Sequence, residues 1–110
     1  MKPSPESLVV ADLKLNPSSG NVTRAGKRVI LSEKETLLLE FLMRNEDQIV
    51  TRSMIARAVW DTEASQCSNV IDVYITNLRQ KVDGNRRPRL LHPVRGKGFC
   101  LSERSELREA

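Results

Sequence analysis

An α+β fold is predicted by three features of this 110-residue chain. The residues up to Leu31 are β-rich and broken by turn-forming clusters, and two capped helical segments follow. An apolar stripe at helical spacing over Asn69 to Val82 then leads into a basic, glycine-bearing hairpin. The length leaves room for one domain with one core, which buries roughly 65% of the surface its unfolded chain exposes. A composition of 39% apolar and 29% charged residues is that of a globular protein, since disordered chains are poorer in Leu, Ile and Val.

Met1 to Ser7 carries two prolines and no periodicity, so residues 1–7 read as a linker or tail ahead of a folded domain over 8–102. Leu8 to Leu15 is β-rich and ends in the turn cluster Asn16-Pro17-Ser18-Ser19-Gly20. Asn21 to Arg24 and Arg28 to Leu31 are short strands about the tight turn Ala25-Gly26-Lys27. Together these segments predict a small N-terminal antiparallel sheet.

Ser32-Glu33-Lys34-Glu35 has the spacing of a capping box, in which Ser32 covers first-turn backbone donors and Glu35 reaches back. Leu38, Phe41 and Leu42 behind it fall at helical spacing, and Asn45 is the expected stop. Ile49-Val50 reads as a short extended link, and Thr51 as the N-cap of a second helix through Ile55, Ala58 and Val59 to Trp60. Asp61 to Ser68 is polar and aperiodic and reads as a loop. Ile71, Ile75, Leu78 and Val82 then form a clean apolar stripe, which predicts a third helix over 69–82. After the Asp83-Gly84-Asn85 turn, Arg89 to Val94 and Gly98 to Ser102 read as two strands joined at Arg95-Gly96-Lys97-Gly98. Residues 103–110 form a charged tail.

Three helices followed by a hairpin outline a winged helix-turn-helix, and the faces of the third helix say what such a fold would do. Asn69, Val73, Thr76 and Gln80 lie nearly opposite the apolar stripe, with Val70, Tyr74, Asn77 and Lys81 on one flank and Asp72 and Arg79 on the other. The major groove of DNA admits an α-helix, and side chains of this kind donate and accept at base edges. Asn77 and Gln80 suit bidentate pairing with adenine, and the Val73 methyls suit contact with a thymine methyl. At the hairpin tip Arg95 and Lys97 project a charge pair suited to an adjacent minor groove. Two of these positions have a structural reading as well. Trp60 is either core or a ring N–H donor to a phosphate, and Arg79 either contacts DNA or is tied to Asp72 seven residues earlier.

Charge supports a polyanionic partner. From Asn69 to Cys100 seven basic residues stand against two acidic ones, a net +5, although the whole chain carries only +4. A basic C-terminal third on a near-neutral body attracts nucleic acid by counterion release. Catalysis is not expected, because one histidine and two distant cysteines supply no nucleophile-base pair, phosphate-cradling loop or metal cluster. Cys67 and Cys100 are taken as two buried or idle thiols, with no disulfide, metal or cofactor expected. No apolar run reaches the roughly 20 residues that span a bilayer, and the first residues lack a signal-peptide stretch, so a soluble cytoplasmic protein with no membrane partner is expected.

The run Asn69-Val70-Ile71-Asp72-Val73-Tyr74-Ile75-Thr76-Asn77-Leu78-Arg79-Gln80-Lys81, followed by Val94-Arg95-Gly96-Lys97-Gly98-Phe99, resembles the effector domain of OmpR/PhoB-type response regulators. The Leu31-Ser32-Glu33-Lys34-Glu35 opening of the first helix and the Val59-Trp60 ending of the second are similar too, and the likeness runs from Leu8 to Leu101. The resemblance implies a transcription factor of a two-component system, with a receiver domain phosphorylated by a sensor kinase. It implies head-to-tail pairing of two copies on direct-repeat half-sites, a four-stranded sheet facing the receiver, and contact with RNA polymerase through the loop 61–68. By position, Asn69, Val70, Val73, Tyr74 and Asn77 fall where the family touches bases or nearby phosphates. Trp60, Thr76 and Arg79 fall where it holds the backbone, and Arg95 at the minor-groove wing. Thr76 and Asn77 stand at positions that are often basic in the family, and a receiver would need about another hundred residues.

Two other binding readings compete with this one. A winged helix that binds proteins would expose apolar residues on its third helix, where only Val70, Val73 and Tyr74 qualify. An RNA-binding module would show stacking aromatics, and the whole aromatic set is Phe41, Trp60, Tyr74 and Phe99.

Overall fold

Two tight reversals turn the start of the chain into a sheet. The computed structural model describes residues 7–103, so the linker and tail read from the sequence lie outside the described residues except for Ser7 and Glu103. Strands β1 (Leu8–Val10), β2 (Leu13–Asn16), β3 (Asn21–Arg24) and β4 (Lys27–Arg28) pair antiparallel in the order β1-β2-β3-β4. The first β-rich run is thus two strands, bent at Ala11-Asp12 with Ala11 at φ 55°. In the second hairpin Ala25 and Gly26 both have positive φ, 54° and 81°, as a two-residue turn matched to strand twist requires. The strand expected over Arg28 to Leu31 is cut short. Val29 still donates to the Val22 carbonyl at 2.9 Å, but Ile30 is exposed as the chain swings toward the cap of the first helix.

Helix α1 (Glu33–Arg44) starts as its sequence predicts. Ser32 Oγ accepts from the Glu35 N–H at 3.2 Å, and the Glu35 carboxylate accepts from the Ser32 N–H at 2.8 Å, a cap that contributes about 1 kcal/mol. Leu38, Leu39, Leu42 and Met43 turn inward, and Asn45 caps the far end by donating from Nδ2 to the Phe41 carbonyl. Helix α2 (Arg52–Ile55), capped by Thr51, continues into a π-helical turn over Ala56–Trp60 and stops where Asp61 takes φ 54°.

Three further sequence-based expectations are corrected by the structure. Helix α3 runs from Ala64 to Val82, so most of the expected loop 61–68 is helical, with a kink at Cys67 (φ −147°, ψ 20°). Its first turn has no apolar period to announce it, and buried Cys67 anchors it instead. Ile49–Val50 is strand β5 rather than a link. It pairs with β7 (Gly98–Leu101), which also pairs with β6 (Leu91–Val94), so the wing is a three-stranded sheet in the order β5-β7-β6. Strand β6 begins at Leu91 rather than Arg89 because the Leu90 and Leu91 N–H groups donate to the Asp83 carboxylate.

One apolar core joins both sheets and all three helices, with Leu13, Leu38, Ile55, Ile71, Leu78 and Leu90 fully buried. Cys67 and Cys100 are both buried and are not joined in a disulfide. Among the described residues no helix is long and apolar enough to cross a membrane.

Candidate nucleic-acid interface

Burial of Ile71, Ile75, Leu78 and Val82 fixes the rotation of α3. The opposite face therefore reaches solvent: Asn69, Val70, Asp72, Val73, Thr76, Asn77, Gln80 and Lys81 are all exposed, Val73 to 57%. Val70 and Val73 present apolar surface on this face amid polar neighbours.

Trp60 and Tyr74 form a half-buried ledge beside this face, with rings edge-to-face at 5.2 Å between centroids. Lys34 Nζ lies 5.7 Å from the Trp60 ring and donates to the Val59 carbonyl at 3.2 Å. The end of α2 and the start of α1 are thereby joined under one cation and one indole.

Asp72 does not pair with Arg79. Its Oδ1 accepts from Nε and Nη2 of Arg52, at 3.0 and 2.7 Å. The same guanidinium sits 5.1 Å from the Phe99 ring in β7, so Arg52 ties α2, α3 and the wing together. Sequence reading missed Arg52, although a cation in the first turn of a helix opposes the helix dipole and so signals another role. Arg79 is half-buried, and its Nε is buried without a hydrogen-bond acceptor. With Thr76, Gln80, Asp83, Gly84 and Arg89 it lines an open hollow of about 210 Å³ at the end of the exposed face. Arg89 there is a second cation that sequence reading left unassigned.

Lys81 points away from the set it was grouped with. Its Nζ donates to both carboxylate oxygens of Glu35, at 2.8 and 3.1 Å. Burial pushes the Glu35 carboxyl up, but hydrogen bonds from Lys81 and from the Ser32 N–H outweigh this and hold it below its ordinary value.

At the wing tip Arg95, Gly96 and Lys97 are exposed, and the Lys97 N–H closes the turn on the Val94 carbonyl at 2.9 Å. Gly96 has φ 75°, and Gly98, at φ 146°, lies so close to β5 that a Cβ would meet the Val50 carbonyl oxygen at 2.0 Å. The tip is a narrow, twice-charged projection on a firmly seated base.

A polar helix face, an aromatic ledge and a basic wing on one scaffold define a winged-helix effector domain of the OmpR/PhoB type. Residues 26–101 match the family described as transcriptional regulatory protein, C terminal, and the chain belongs to that family. It is 44% identical over 92 residues to the transcriptional regulatory protein CusR of Escherichia coli K12, covering 84% of this chain and 40% of that protein. It is also 44% identical over 98 residues to the transcriptional activator protein IrlR of Burkholderia pseudomallei, covering 89% of this chain and 43% of that protein. The chain thus spans less than half the length of these relatives. Among solved structures it is similar to the DNA-binding domain of CpxR from E. coli, at TM-score 0.77 and 29% identity, over 90% of this chain and 97% of that one.

Proposed function

We propose that this chain reads duplex DNA sequence-specifically and regulates transcription as the effector part of a two-component response regulator. The observation that carries this reading is the joint exposure of Asn69, Val73, Thr76, Asn77 and Gln80 on one face of α3, beside a wing tip bearing Arg95 and Lys97. In this pose α3 enters the major groove, with Asn77 and Gln80 at base edges and Val70, Val73 and Tyr74 against thymine methyls or sugar edges. Trp60, Thr76 and Arg79 hold backbone phosphates, and Arg95 and Lys97 sit at the neighbouring minor groove. Lys81 contributes to the field rather than to a direct contact, since Glu35 holds its ammonium.

The partners follow from the family. Two copies bind head-to-tail on direct-repeat half-sites, a receiver domain docks on the β1-β4 sheet, and Asp61 to Ser68 meets RNA polymerase. The site of action is the cytoplasm, and the domain carries out no chemistry of its own. A protein-binding module without DNA is the second reading, favoured only by the exposure of Val70 and Val73.

Fluorescence-anisotropy titration against a pool of random duplexes at several salt concentrations, with the bound fraction sequenced, decides between them. Sequence-specific reading requires enrichment of one direct-repeat motif and affinity that falls steeply with salt. No salt-dependent binding at low ionic strength would leave only the protein-binding module.

A further inference from the structure

The N-terminal sheet, the end of α3 and the root of the wing meet at one side chain. Arg24, the last residue of β3, is completely buried. Its Nη1 donates to the Val82 carbonyl and to Asp83 Oδ1, each at 3.0 Å. Its Nη2 donates to the Pro88 carbonyl, and its Nε to Asp12 Oδ1 at 2.5 Å in the β1–β2 turn. Asp83, also buried, accepts at Oδ1 from the Leu90 N–H at 3.0 Å and at Oδ2 from the Leu91 N–H at 3.1 Å. One carboxylate therefore bridges the last turn of α3 to the first residue of β6, and one guanidinium locks that bridge to the sheet.

We infer that Arg24 is a positioning residue for DNA reading, acting through Asp83 to fix the angle between α3 and the wing. The inference rests on the DNA-binding reading above. Residues 84–90, which connect α3 to β6, form no regular helix or strand that would set this angle. A guanidinium is planar, with donors in fixed directions. Four acceptors from three parts of the fold, held by one completely buried guanidinium, leave little angular freedom. The leverage is large. The wing tip lies about 13 Å along β6 from its anchor at Leu91, by the rise of a strand. A tilt of about 10° therefore moves Arg95 and Lys97 by about 2 Å, more than a contact site tolerates. Arg52 and the β5–β7 pairing tie the far side of the wing to the helices, and the clamp fixes the near side, where the chain passes from α3 into β6.

Arg24→Met tests the clamp at a temperature where circular dichroism shows the variant folded. Two readouts apply. The first is the ratio of affinity for the selected duplex to affinity for random duplex. The second is whether N–H residual dipolar couplings of α3 and the wing, in the free chain, fit one alignment tensor. The clamp predicts at least a tenfold fall in the ratio, random-duplex affinity within twofold of wild type, and two tensors where wild type needs one. A variant that melts earlier yet keeps the ratio and the single tensor overturns the inference, because Arg24 would then only stabilise the fold. Where Arg24→Met fails to fold, Arg24→Lys keeps a cation for Asp83 without reaching all four acceptors, and the same readouts apply. If wild type binds no duplex, the DNA reading fails, and the tensor comparison still decides the clamp.

Discussion

Asn77 and Lys97 stand on different elements and make different kinds of contact. A side-chain amide at a major-groove base edge distinguishes sequences, whereas an ammonium at the minor groove acts mainly through its charge. Asn77→Ala should relax base preference at one position of the site, at a cost of about 1–3 kcal/mol for the preferred sequence. Lys97→Ala should weaken all duplexes alike and lower the slope of log affinity against log salt by about 1. Titration of the selected duplex and its single-base variants at three salt concentrations measures both. Unchanged affinity and preference in Asn77→Ala would show that the docking pose is wrong. Glu35 carries a prediction about pH. Its folded-state pKa lies below the ordinary 4.5, so its pair with Lys81 stabilises the fold above that value. The contribution is lost as pH falls through the folded-state pKa. Melting temperatures of wild type and Glu35→Gln should differ most near neutral pH and converge at low pH. Glu46, raised by burial and by Asp47 and Glu103, titrates alike in both chains and cancels from the difference. Lys81 also marks a limit of sequence reading at this scale. Helical register placed it on a flank of the exposed face, but only packing of α1 against α3 brought Glu35 within 2.8 Å.

The wing depends on Gly98 more than on its charges. A Cβ there would collide with β5 in a backbone conformation that L side chains rarely adopt. Gly98→Ala should therefore destabilise by more than the about 1–3 kcal/mol of a strained backbone alone. Gly96→Ala has open space around it and should cost only about 1–2 kcal/mol for its positive φ. Urea denaturation of the two variants gives the comparison, and equal losses would mean that the wing base yields to the added atom. Legibility of the elements divides along the same line. The capping box at Ser32 and the N-cap at Thr51 are local, so the starts of α1 and α2 were readable from a few consecutive residues. Strand β5 was not, because Ile49 and Val50 pair with Cys100 and Phe99, some fifty residues on. The first turns of α3 were also hidden, since a helix seated by one buried cysteine shows no period.

Across the whole molecule, Arg24 and Asp83 join the part that begins the chain to the part that ends it. Arg24→Met leaves Asp83 buried without its cation and should cost about 3–5 kcal/mol, as breaking a buried pair does. Wild type should unfold in one transition, with Trp60 fluorescence and far-ultraviolet circular dichroism coincident. A stability loss under 1 kcal/mol would show that water reaches the site. The sequence by itself determined the fold class, the caps, the face of α3 turned to solvent and the charge of the wing tip. All of these depend on neighbours within a few residues, through helical and strand period, turn chemistry and local charge. Tertiary structure alone decided that Asp72 belongs to Arg52, that Lys81 belongs to Glu35, and that the wing has a third strand. It also decided that Arg24, read in sequence only as the end of a short strand, is the buried link between sheet, helix and wing. The reason is that a long polar side chain finds its partner by direction and desolvation in three dimensions, and no spacing along the chain encodes either.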